Sequence, residues 1–161
     1  MLRRNENARQ RWGGHHQAVD KWLEERQGLL IHYFQLAGLP PYDKGAKGLP
    51  SSAEIKSFCQ ILVDYVSTGH FEIYEQLVQS ADAQDEEVRK ITLRVYPLIT
   101  VTTERVLNFN DKYTEVTSND PLLDFDNDLS ALGEALEVRM ELEDQLLVSI
   151  EERAALSVSE G

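Results

Sequence analysis

The chain has 161 residues, one cysteine and a formal net charge of −12, from 28 acidic side chains against 16 basic ones. That length suits one domain and buries roughly 70% of its unfolded surface, so neither a metal nor a disulfide is required for stability. A lone cysteine excludes an internal disulfide and fits a reducing compartment, and so acidic a surface repels nucleic acid.

The charge is uneven. Residues 118–161 hold two Lys/Arg against twelve Asp/Glu, whereas residues 1–40 hold six against four. Such a surface favours a basic partner and speeds encounter with one, beyond its plain use for solubility. The polar start, Met1 to Asn7, lacks the apolar run of a signal peptide. No stretch approaches 18 apolar residues, so no membrane span is expected. The expected location is the cytoplasm.

The first apolar periodicity covers residues 5–36, with Trp12, His15, Val19, Trp22, Leu23, Leu29, Leu30 and Tyr33 in one stripe. Gly13-Gly14 weakens that helix and is a place for a kink or a split. Arg26 lies in the centre of the stripe. A buried guanidinium needs a partner, so an internal carboxylate is expected. Residues 37–50 are rich in glycine and proline (Gly38, Pro40-Pro41, Gly45, Gly48, Pro50) and read as a loop.

Ser51 and Glu54 have the spacing of a capping box that opens a second helix, expected to end near residues 79–80. At ~100° per residue, Ile55, Phe58, Leu62, Tyr65, Val66, Gly69, Ile73 and Leu77 form its core side. Cys59 sits at the edge of that side, as a buried structural thiol would. Asp64, Ser67, Thr68, Phe71 and Glu75 fall in a narrow stripe on the opposite side. A single exposed aromatic is common. An aromatic between hydroxyls and carboxylates is also what a partner-binding stripe contains.

A third helix is expected over residues 86–113, its core side made of Val88, Ile91, Val95, Leu98, Ile99, Val106 and Phe109. Pro97 removes a backbone donor and predicts a kink. Residues 114–120 form a polar loop. Asp120-Pro121 reads as an N-cap followed by proline at the first helical position, which opens a fourth helix over residues 121–155. Leu122, Phe125, Leu129, Leu132, Leu136, Met140, Leu147 and Ile150 make its stripe. Glu143 falls in the centre of that stripe, one turn after Arg139, and predicts an internal ion pair with Arg139 or Arg26. Residues 157–161 are expected to be a frayed tail.

Four long amphipathic segments with short connections predict an all-α antiparallel four-helix bundle, built as a single helical domain over residues 1–161 with its third helix kinked. Bundles of this kind can house di-iron sites or phosphorylated histidines. A di-iron site needs Glu-x-x-His, but Trp12, Gly13, Leu29 and Ser67 stand three residues before His15, His16, His32 and His70. Histidine-phosphotransfer bundles place lysine three and glycine four residues after the reactive histidine. His70 has Ile73 and Tyr74 at those offsets, and the other histidines fail likewise. Gly45-Ala46-Lys47-Gly48 lacks the spacing and the Ser/Thr of a phosphate-binding loop. His70 reads as a hydrogen-bonded structural residue. No catalytic residue, metal ligand or cofactor is expected.

The block Asp64-Tyr65-Val66-Ser67-Thr68-Gly69-His70-Phe71 with Tyr74-Glu75 resembles the signature of the Rsd/AlgQ family. Arg11-Trp12-Gly13-Gly14, Val19-Asp20-Lys21-Trp22-Leu23, Glu25-Arg26, Gly133-Glu134-Ala135-Leu136-Glu137 and Leu142-Glu143-Asp144 are similar to its flanking blocks. The resemblance implies a helical bundle and a bacterial anti-sigma factor. Its implied partner is region four of the primary sigma factor, with promoter recognition and docking on core RNA polymerase both blocked. It also implies that Asp64, Ser67 and Phe71 touch sigma. Glu75 joins them from helix geometry alone. Asp64 and Glu75 would form ion pairs, Ser67 a hydrogen bond, and Phe71 the apolar anchor. A histidine-phosphotransfer bundle and an acidic adaptor that does not bind sigma are the alternatives.

Overall fold

The computed structural model describes residues 1–12, 17–39, 49–69 and 86–160. Five helices lie in this part of the chain: α1 (Leu2–Trp12), α2 (Gln17–Ala37), α3 (Ser52–Thr68), α4 (Glu86–Tyr113) and α5 (Phe125–Glu160). The last four are the long members of an all-α bundle.

The contacts between helices fix their directions. Lys112 meets Asp128, Arg139 meets Thr102 and Thr103, and Arg94 meets Gln145, so α4 and α5 are antiparallel. Tyr33 reaches the backbone of Leu129 while Arg26 reaches Asp144, so α2 is also antiparallel to α5. On α3, Phe58 packs against Tyr33 and Phe109, and Tyr65 bonds Glu143. That sets α3 antiparallel to α2 and α4. The result is an up-down-up-down arrangement.

The expected helix over residues 5–36 is two helices. Asn5 donates to the backbone oxygen of Leu23 at 3.4 Å and to the side chain of Gln27 at 2.7 Å. In one straight helix Asn5 and Leu23 would stand about 27 Å apart. α1 therefore folds back on α2, and Arg4 extends from it toward Asp144 on α5 (3.5 Å).

Local chemistry explains most of the helix ends. Gly38 has φ +65°, its N–H bonds the Gln35 carbonyl, and the Leu39 N–H bonds the Phe34 carbonyl. This is a Schellman stop, which favours glycine because an L side chain is strained there. Ser51 caps α3, its hydroxyl accepting from the Glu54 N–H at 3.2 Å. α4 continues on both sides of Pro97. The carbonyl of Leu93, which Pro97 cannot bond, belongs to the exposed side of the helix, where Leu93 is 63% exposed.

Two expected boundaries of the last helix are corrected. It starts at Phe125 rather than Pro121, because the Asp120 carboxylate turns back to accept from the N–H of Thr117 (2.7 Å) and its hydroxyl (3.2 Å). Asp120 closes the loop instead of capping a helix, and the first helical bond runs from the Asp128 N–H to the Asp124 carbonyl. At the other end α5 is helical through Glu160, past the expected end at Ala155. Leu98, placed in the core by its spacing, is 51% exposed. Val95, Ile99, Thr102 and Val106 take the interior positions, leaving Leu98 about 100° round the helix from Ile99.

One end of the core is aromatic. Tyr113 and Phe125 meet edge to face with centroids 5.1 Å apart, and Phe109 bridges them to Phe58. Beyond this cluster the core becomes polar. Arg26, Arg139 and Glu143 are fully buried at one level of the bundle.

Candidate partner-binding face

α3 has two chemically distinct sides. Ile55, Phe58, Cys59, Leu62, Tyr65 and Val66 are buried, and Gly69 beyond them is buried too. Burial pushes the Cys59 thiol up to about 11, so at neutral pH it is a protonated core group and a poor nucleophile. Lys56, Gln60, Asp64 and Ser67 are exposed on the other side. Gln60 donates to the Asp64 carboxylate at 3.0 Å, one turn away, and orients it. Gly69 keeps helical dihedrals (φ −56°, ψ −47°), its N–H bonding the carbonyls of Tyr65 and Val66. The stripe of Asp64 and Ser67 is therefore presented on helical backbone. Phe71, Glu75 and His70, and the expected continuation of this helix to residues 79–80, lie outside the described residues.

Behind the exposed stripe is a buried polar layer to which every long helix contributes. From α3, the Tyr65 hydroxyl donates to the Glu143 carboxylate. Arg139 lies 3.6 Å from Glu143 on α5, donates to Thr102 (3.1 Å) and Thr103 (2.7 Å) on α4, and sits over the Tyr65 ring. Arg26 on α2 bonds Asp144 at 2.8 Å. Burial holds the Glu143 carboxyl above the usual carboxylate range; the Arg139 and Arg26 guanidiniums and the Tyr65 hydroxyl pull it down without cancelling that effect.

The pattern on α5 made Glu143 and Arg139 visible as internal polar groups. It did not reveal Asp144 as the partner of Arg26, nor Tyr65 as the partner of Glu143. Both contacts join residues far apart in sequence, and no spacing rule on one helix reports them. A glycine completes the packing. A Cβ built on Gly133 would stand 2.1 Å from the Tyr33 hydroxyl, so the close approach of α2 to α5 needs glycine there.

Among the described residues no group of three or more His, Cys, Asp or Glu side chains could hold a metal. No helix there is long and apolar enough to cross a membrane. The exposed side chains of α5 include Asp126, Glu134, Glu137 and Glu141, whereas Arg139 is turned inward. The acidic bias of the sequence is thus a real surface property of this helix.

Residues 1–151 match the family model described as regulator of RNA polymerase sigma(70) subunit, Rsd/AlgQ. The chain is 36% identical over 148 residues to a "Regulator of sigma D" from Yersinia enterocolitica, covering 91% of this chain and 88% of the relative. It is 35% identical to the protein of that name from Yersinia pseudotuberculosis, covering 91% and 87% of the two chains. With that from Salmonella paratyphi B the identity is 36%, over 93% and 91%.

Proposed function

Because the chain belongs to the Rsd/AlgQ family of sigma regulators, we propose that it binds region four of the primary sigma factor through the exposed side of α3. Region four is a basic helix-turn-helix that reads the upstream promoter element. A protein seated on it withholds sigma both from the promoter and from core RNA polymerase, and alternative sigma factors then compete better for the core. The family is regulatory and the protein is not an enzyme.

The observation that carries the reading is the division of α3. Asp64 and Ser67 stand exposed in the block that resembles the family signature, while their neighbours Tyr65 and Val66 are buried. The exposed pair has no part in the core and is free to bind. Asp64 supplies an ion pair to a basic partner and Ser67 a hydrogen bond. Phe71 supplies the apolar anchor, and Glu75 a second acid four residues later in the chain. The acidic exposed side of α5 raises the rate of encounter with a basic partner.

The test is titration of a purified region-four fragment against the wild-type protein and against Asp64→Ala and Phe71→Ala. Binding by the wild type, weakened in both variants with their fold intact, supports the reading. Wild-type protein that does not bind the fragment sinks it.

A further inference from the structure

We propose that Tyr65 and Glu143 are positioning residues for the partner-binding side of α3. The inference rests on the reading given above, and it assigns a binding role to groups that touch no partner.

The buried side of α3 consists of Ile55, Phe58, Cys59, Leu62, Tyr65, Val66 and Gly69. All but one of these make apolar or thiol contacts. Such contacts are non-directional, so they set the rotation of the helix less sharply than a hydrogen bond does. The Tyr65 hydroxyl is the single side-chain oxygen on that side, and it donates to Glu143. A buried hydrogen bond has a direction, and an unmade one is costly, so it fixes the rotation of the helix that carries it.

The acceptor is itself held. Glu143 lies 3.6 Å from Arg139, and Arg139 is bonded to Thr102 and Thr103 on α4. The next residue, Asp144, is bonded to Arg26 on α2. Tyr65 therefore locks α3 to a layer already tied to three other helices. Its effect reaches the surface at once, because Asp64 precedes it directly and Ser67 follows two residues later. With side-chain tips about 5–6 Å from the helix axis, a turn of some 20° moves Asp64 and Ser67 by about 2 Å. That displacement breaks a hydrogen bond or an ion pair of ordinary geometry. The buried layer thus pre-organises the stripe, and pre-organisation reaches affinity by lowering what binding must spend on ordering.

Affinity for the region-four fragment, measured with a denaturation curve on each protein, tests this. Tyr65→Phe removes one oxygen and keeps the ring. It is expected to weaken binding about fivefold or more while the protein stays folded with unchanged helix content. Combined with Asp64→Ala, the loss is expected to be smaller than the product of the two separate losses, because a displaced stripe has already forfeited part of the Asp64 contact. Glu143→Gln keeps an acceptor for Tyr65 and is expected to stay within about twofold of the wild type. If Tyr65→Phe does not fold, Thr103→Val, which removes the 2.7 Å anchor of Arg139 on α4, is expected to show the same pattern. Folded Tyr65→Phe protein that binds at full strength, or losses that multiply in the double variant, overturns the inference. A wild-type protein that does not bind the fragment removes the reading beneath it, and this is seen before any variant is measured.

Discussion

Replacing Glu143 with alanine removes the centre of the buried polar layer. Its carboxylate is fully buried, accepts from Tyr65 and lies 3.6 Å from Arg139. Truncation leaves a buried Tyr65 hydroxyl short of this acceptor, at about 1–3 kcal/mol, and takes from a buried guanidinium a carboxylate 3.6 Å away. Breaking a buried pair from one side costs about 3–5 kcal/mol in all. For a chain of this size each kcal/mol moves Tm by about 2–4 °C, so Glu143→Ala is expected to lower Tm by roughly 6–20 °C. Glu143→Gln keeps an acceptor and is expected to lose less, about 1–2 kcal/mol. Urea denaturation followed by circular dichroism reads both variants, with the slope checked for two-state behaviour. The pH dependence adds a second check. Because burial raises the Glu143 pKa in the folded protein, the folded state holds its proton more tightly than the unfolded one. The stability linked to this proton is full below the unfolded value near 4.5 and is lost as pH rises through the raised folded value. The wild type is therefore expected to lose stability relative to Glu143→Gln as pH rises through that window. A Glu143→Ala midpoint within about 0.5 kcal/mol of the wild type, the range of an ordinary surface change, refutes this account of the core.

Other expectations follow from single contacts. Gly133→Ala, favoured by helix propensity by about 1 kcal/mol, is expected to destabilise instead, because its Cβ meets the Tyr33 hydroxyl at 2.1 Å; adding Tyr33→Phe should recover part of the loss in a thermal melt. Asp128→Asn removes the charge that pairs with Lys112 but keeps an amide oxygen to accept from Tyr113; Lys112 is 53% exposed, so a denaturation curve should show only a small loss that shrinks with salt. Asp64→Ala should leave Tm unchanged and weaken sigma binding. On the rim of the interface it would act on association rate and salt dependence, and if desolvated on dissociation rate, which stopped-flow and surface-binding kinetics separate.

The bundle was readable because its signals are local. The 3.6-residue period and the charged flanks delimit α4 at Glu86–Tyr113, and Ser51 marks the start of α3 three residues before Glu54. Misreadings arose where a side chain had two local uses or a contact was distant. Asp120 before a proline can cap a helix or close a turn, and only the folded loop shows that it bonds Thr117. Gly13-Gly14 marked a place for a kink or a split but not the reversal of α1 onto α2, because the bonds that reveal it join Asn5 to Leu23 and Gln27. Leu98 fits the apolar period but lies at the shoulder of the buried side, where Thr102 takes an interior place by bonding Arg139. Of the candidate site, Asp64 and Ser67 were legible because their exposure follows from their angle on α3. The layer behind them was half legible: a charge in an apolar stripe announces burial, but not which helix supplies its partner.

The stripe of Asp64, Ser67 and Phe71 is proposed to bind sigma and not to hold the fold. It is tested most directly on Phe71→Ala, with Tm and affinity for the region-four fragment measured on the same preparation. Stability is expected to stay within about 0.5 kcal/mol of the wild type, and binding to weaken by about 2 kcal/mol or more, as for an aromatic hot spot. A folded Phe71→Ala protein that binds the fragment at full strength contradicts the proposal.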